Sequence, residues 1–298
     1  MKKTYNFPKA MNLHCKVLDD KVLKWAWEAN LFDNPAELER CRVQKINWFT
    51  GFLFPEENKE RLEQIMKFFL GLFLLDDLLD IVHNTEMIDF LEALKNGDSF
   101  HSDFRIHCLG NELNQLYRNF EKQQRDSFLL EQWQTEWHKY LEALQWETRI
   151  KMQRVKPNLE EYRLMRPKSS GVYLAMILIK KGKDRRGCVS DLLEISLARY
   201  IYLSNDLASY QKEKAIGDPH NEIILLMDSV GDDALSVVQR ELKILREEFI
   251  PLTELIGINF NSCKKWIYRL LLLAGGCEAW TAETLRYQKN INGNSATH

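Results

Sequence analysis

The chain has 298 residues, 45% of them hydrophobic and 28% charged, with a formal net charge of −2. That length and apolar content suit one large domain with a substantial core. The near-neutral charge argues against a basic nucleic-acid-binding surface.

Helical periodicity runs through the sequence and no alternating strand pattern interrupts it, so the fold class is all-α. The expected arrangement is a single domain over 1–298, with a catalytic core over about 17–288 and a polar tail at 289–298. Helices are expected over 17–30, 35–53 and 56–83, with breakers at Asn34-Pro35 and Pro55. Within the third of these, Leu62, Ile65, Met66, Phe69, Leu72 and Phe73 form a core-facing stripe. At about 100° per residue the stripe runs on into Asp76 and Asp80. Carboxylates on a buried face are costly as anions without cations beside them. Two of them one turn apart can share a hard, oxygen-liganded ion, and Mg²⁺ fits. An Asp-rich helix end can also be solvated surface, but the unbroken stripe upstream weighs against that here.

Further helices follow at 86–95, 103–121, 125–153, 158–166 and 170–181, and a long one at 187–215. On the long helix Asn205, Ser209 and Glu213 stand at i, i+4 and i+8, a row about 12 Å long. Traced backwards, this face carries Tyr202, Ala198 and Ile195 and is expected to be apolar. An amide oxygen, a hydroxyl and a carboxylate in a row offer three oxygen ligands to one divalent ion. Lys212 borders the row, within reach of a bound phosphate. The last helices are expected over 219–228, 231–256 and 260–288, after the turn at Gly217-Asp218-Pro219.

The six cysteines (Cys15, Cys41, Cys108, Cys188, Cys263, Cys277) show no metal-ligand spacing, so zinc is not expected. Met1–Pro8 has no apolar leader run, and no apolar run approaches the roughly 20 residues of a membrane span. These features lead us to expect a cytoplasmic protein with no nucleic-acid partner and no membrane insertion.

Asp76-Asp77-Leu78-Leu79-Asp80 and Asn205-Asp206-Leu207-Ala208-Ser209-Tyr210-Gln211-Lys212-Glu213 together resemble the two metal motifs of class I terpene synthases, in order and in separation. The length resembles the single-domain microbial type, and the resemblance covers about Phe52 to Tyr287. Arg286-Tyr287, with Trp280 upstream, is similar to the family's C-terminal pair. Tyr162–Gly171 is similar to its diphosphate-sensor segment, with Arg166 as sensor, Ser169 as link and the Ser170 carbonyl facing the substrate. Pro167 departs from the pattern and leaves Arg163 as the alternative sensor.

The resemblance implies a helical bundle around a central cavity and three Mg²⁺ ions, with Mn²⁺ as a substitute. Asp76 and Asp80 would serve one side of the metal cluster and Asn205, Ser209 and Glu213 the other. Arg166, Lys212, Arg286 and Tyr287 would donate to an isoprenoid diphosphate, with Asp77 accepting a hydrogen bond behind them. The reaction implied is ionisation and cyclisation, most often of farnesyl diphosphate, with geranylgeranyl diphosphate the alternative. Phe73 and Trp280 are the leading candidates for a cation-stabilising wall, followed by Phe52, Phe54, Phe69 and Tyr202. A homodimer is expected by analogy. A chain-elongating prenyl synthase would carry a second Asp-rich motif, and a protonating cyclase would carry DxDD; neither is present. A non-catalytic helical scaffold with acidic docking patches is the reading of a different class.

Overall fold

A computed structural model describes residues 6–180, 188–259 and 263–287. Among these, every regular element is helical. The first six helices are α1 (Cys15–Glu28), α2 (Pro35–Val43), α3 (Ile46–Leu53), α4 (Lys59–Leu79), α5 (Thr85–Lys95) and α6 (Phe104–Gln123). Then come α7 (Ser127–Gln153), α8 (Leu159–Ser169), α9 (Val172–Ile179) and α10 (Cys188–Ile216). The last are α11 (Glu222–Val230), α12 (Ala234–Asn259) and α13 (Lys264–Glu283), with a 3₁₀ turn at Gly231–Asp233. No helix among the described residues is long and apolar enough to cross a membrane. Cys15, Cys41, Cys108 and Cys277 are free thiols. The expected polar tail lies outside the described residues.

Helix α4 runs through the middle of the molecule. Asn58 caps it by accepting from the Arg61 amide at 2.9 Å. Leu62, Ile65, Met66, Phe69 and Leu72 of the expected stripe are buried and Phe73 is half-buried, and Phe68, Leu74 and Leu75 are buried on the other sides, because α3 and α6 both pack on the helix. Phe68 stands edge-on to Phe120 and packs against Trp133 and Trp137 of α7. Each such side chain contributes roughly 1.5–3 kcal/mol on burial.

Several boundaries differ from expectation, each for a local reason. The expected helix over 35–53 is two helices, because Lys45 takes a left-handed conformation (φ 52°) with no Gly or Pro to announce it. Helix α8 continues through Pro167 to Ser169, and the break comes at Gly171, whose φ of 69° only a glycine adopts readily. Helix α13 stops at Glu283 rather than 288. Thr284 anchors the following turn by donating to the Gln44 carbonyl (2.6 Å) and accepting from the Arg286 amide (3.1 Å). On α10, Ala198 and Tyr202 are buried as expected, but Ile195 is 56% exposed. In this turn of the 29-residue helix it is Leu193 and Leu197, on another face, that enter the core.

The core also begins earlier than residue 17. Phe7 is buried against Tyr200 and Phe249, and Asn12 donates to the carbonyls of Phe54 and Glu57. This segment lies so close to α13 that a Cβ at Gly275 would collide with the Pro8 carbonyl oxygen.

Candidate active site

Helices α3, α4, α7, α8, α10, α12 and α13 line an open cavity of about 830 Å³, within the roughly 300–1,000 Å³ usual for small-molecule sites. Its wall has two chemical zones. Phe49, Phe69, Phe73 and Trp280 supply an aromatic surface. Phe49 stands edge-on to Phe73 (ring centroids 5.3 Å apart, 89°) and to Trp280 (5.1 Å, 72°). The Trp280 indole donates to the Lys45 carbonyl at 2.8 Å, which fixes its ring. The other zone is charged and carries the polar clusters of α4 and α10.

At the end of α4, Asp76 and Asp80 both line the cavity. The Asp76 side chain is 50% exposed although it sits deep in the molecule, because its open side is the cavity. Burial and the neighbouring Asp80 charge push its pKa up to about 6, against the pull of Arg286. Asp80 caps the helix and accepts from Lys151 of α7 at 2.7 Å. Lys151 also lies 3.6 Å from Asp218 in the turn after α10. Asp77 is not in the cavity wall. Arg286 (2.9 Å) and Arg40 (2.6 Å) take its carboxylate from behind, so it does not stand with the groups that face a substrate.

On α10, Asn205, Ser209 and Glu213 line the opposite side, with Lys212 beside them. Asn205 donates to the Tyr287 hydroxyl at 2.6 Å and accepts from Arg166 Nη2 at 2.9 Å. Burial, and then the charge of Asp206, raise the Glu213 pKa to about 8, with Arg166 and the Asn221 amide opposing. Asp206 lies within the motif but behind the wall and is fully buried. It accepts from the Tyr162 hydroxyl (2.7 Å), the Glu222 amide (3.0 Å) and Arg166 Nε (3.1 Å). Arg166 is thereby aimed into the cavity. Arg163 points elsewhere and donates twice to Glu222, at 2.8 and 2.6 Å.

Ser170 lines the cavity, and so does Ser169, which donates to Glu147 at 2.7 Å. Arg286, Tyr287, Phe69 and Tyr202 also line it. Phe52 and Phe54 do not. They are core residues 7% and 1% exposed, because the break at Lys45 turns α3 so that Phe49 faces inward instead. Phe49, Tyr140, Glu147 and Lys151 are wall residues that the motif search missed. They lie on α3 and α7, where nothing in the local sequence marks a cavity-facing position.

No group of three His, Cys, Asp or Glu side chains converges to hold a metal among the described residues. A cation here would therefore need the amide and hydroxyl oxygens of Asn205 and Ser209 as well as carboxylates. That hard-oxygen donor set suits Mg²⁺ or Mn²⁺. Burial without a full counter-charge beside it favours the neutral form of Glu213 when no metal is present.

A family model described as terpene synthase family 2, C-terminal metal binding, matches residues 67–247. The chain is 24% identical over 320 residues to the (+)-eremophilene synthase of Sorangium cellulosum (strain So ce56), covering 95% of this chain and 92% of that protein. It is 21% identical over 295 residues to the 4-epi-cubebol synthase of Streptosporangium roseum, covering 94% and 88% respectively. In fold it is similar to a solved single-residue variant of cucumene synthase, with a TM-score of 0.79 at 18% identity, covering 97% of this chain and 100% of that one. The family match spans more than half of the chain and takes in both polar clusters, so the chain belongs to the metal-binding terpene synthase family and is a terpene synthase, a lyase of isoprenoid diphosphates.

Proposed function

We propose that this enzyme converts farnesyl diphosphate to a cyclic sesquiterpene, with Mg²⁺ as its metal. The observation that carries the reading is the division of one cavity into a charged zone and an aromatic zone. The relatives support the chain length: the Streptosporangium roseum protein is named for cyclising (2E,6E)-farnesyl diphosphate.

Asp76 and Asp80 on one side, and Asn205, Ser209 and Glu213 on the other, would hold the metal. Bound Mg²⁺ supplies Lewis-acid stabilisation of the charge that develops on the leaving diphosphate. Arg166, Lys212, Arg286 and Tyr287 donate to the phosphate oxygens as the C–O bond breaks. The Ser170 carbonyl presents its dipole to the ionising carbon. Phe73, Trp280 and Phe49 then face the allylic cation, which an aromatic ring stabilises by roughly 2 kcal/mol in a dry site. The released diphosphate accepts the final proton.

The test is a substrate screen. Purified enzyme with Mg²⁺ is given geranyl, farnesyl and geranylgeranyl diphosphate, and the extracts are read by mass spectrometry. Cyclic C15 products dominate if the reading holds. Products only from the C20 substrate would make it a diterpene synthase. Only acyclic products would remove cyclisation.

A further inference from the structure

The turn after α10 ends in Asn221, which lies outside both metal motifs and is fully buried. Its side-chain oxygen caps α11 by accepting from the Ile223 amide at 2.9 Å. That bond fixes which way the amide points, because only the oxygen can accept there. The Nδ2 group is therefore turned back onto α10. It donates to the Asp206 carbonyl at 2.6 Å and to Glu213 Oε2 at 2.7 Å, with Ser209 Oγ farther off at 3.4 Å. Two hydrogens thus meet the backbone of one motif residue and the carboxylate of another.

The next residue completes a bracket. The Glu222 amide donates to Asp206 at 3.0 Å, and the Glu222 side chain is itself held by Arg163 and Arg199. Gly217 (φ 73°) lets the chain reverse, and the Asp218 amide returns to the Glu213 carbonyl at 3.0 Å. The first turn of α11 is therefore clamped onto the second motif from behind.

We propose that Asn221 is a positioning residue of the metal site on α10: it fixes the Glu213 carboxylate and the motif backbone without touching the substrate. The inference rests on Glu213 being a metal ligand. Groups that orient a ligand in this way typically change metal affinity by about 10–100-fold when removed.

Asn221→Ser keeps a capping oxygen and removes Nδ2. Asn221→Asp keeps the cap and turns a carboxylate oxygen toward Glu213. The measurement is the Mg²⁺ concentration for half-maximal rise in melting temperature at fixed inorganic diphosphate, with Glu213→Gln and the Glu213→Gln/Asn221→Ser pair alongside. Both Asn221 variants should need about 10–100-fold more Mg²⁺, and turnover should recover as Mg²⁺ is raised. In the Glu213→Gln background, Asn221→Ser should add no further shift. If Asn221→Asp melts early on its own, pairing it with Glu213→Gln reverses donor and acceptor across that contact and should restore part of the melting temperature, the bond to the Asp206 carbonyl staying lost; no recovery at all would count against the contact. A shifted Glu213→Gln beside unshifted Asn221 variants overturns this proposal alone. An unshifted Glu213→Gln overturns the ligand role of Glu213 and this proposal with it.

Discussion

Arg286 grips Asp76 and Asp77 together: its Nη2 lies 3.0 Å from one carboxylate and 2.9 Å from the other. The same design recurs on α10, where Arg166 spans Asp206 and Asn205. In each pair one residue faces the cavity and its neighbour, behind the wall, anchors the arginine. In the metal-free protein the two arginines supply positive charge beside these acidic groups.

Removing the first grip should therefore cost both stability and activity. Arg286→Ala leaves Asp77 held by Arg40 alone and Asp76 without a cation. Breaking a buried pair from one side typically costs about 3–5 kcal/mol, and the open side of Asp76 places this case at the lower end. Urea denaturation should show that loss, and Asp77→Asn in the same chain should return part of it. Equal stability of Arg286→Ala and wild type would contradict the pairing.

Glu213 gives a pH signature. Its pKa rises from the ordinary 4.5 to about 8 on folding, so the folded protein holds this proton more tightly than the unfolded chain does. The stability it contributes is fully present below about 4.5 and lost as the pH rises through about 8. In EDTA, Glu213→Gln should melt close to wild type at pH 5 and above it at pH 9. A melting difference that does not change between these pH values would contradict the burial effect.

Asn205→Ala and Glu213→Gln should each lower turnover by about 100-fold or more at ordinary Mg²⁺, from lost ligand oxygens. Their helical circular dichroism should match wild type. Wild-type turnover in either would refute its metal role.

Phe73→Ala removes one ring from the Phe49–Phe73–Trp280 cluster. A cation–π contribution of about 2 kcal/mol corresponds to roughly a 30-fold change in a branching ratio. Chromatography of the products should show a redistributed mixture. Stability should fall less than for a full core deletion, since Phe73 is only half-buried. An unchanged mixture would remove Phe73 from the reacting surface.

Asp76, Asp80, Asn205, Ser209 and Glu213 were legible in the sequence because helical spacing reveals which residues share a face. Spacing does not reveal what a face meets. Asp80 pairs with Lys151, 71 positions away, and no local pattern links them. The N-cap signal at Asn221, ahead of an apolar run, announces a helix start, but its hold on Glu213 depends on how the chain reverses at Gly217. Phe52 and Phe49 exchanged places because the left-handed turn at Lys45 has no sequence marker. The Phe7–Asn12 segment shows no periodicity, and its burial depends on Gly275, whose missing side chain admits it.

The most direct test of the whole reading is diphosphate release and C15 product formation from farnesyl diphosphate, measured together with Mg²⁺ and again with EDTA. Equal amounts of diphosphate and cyclic C15 product with Mg²⁺, and neither with EDTA, are the expected result. Product formation that persists in EDTA, or no C15 product at saturating Mg²⁺, would contradict it.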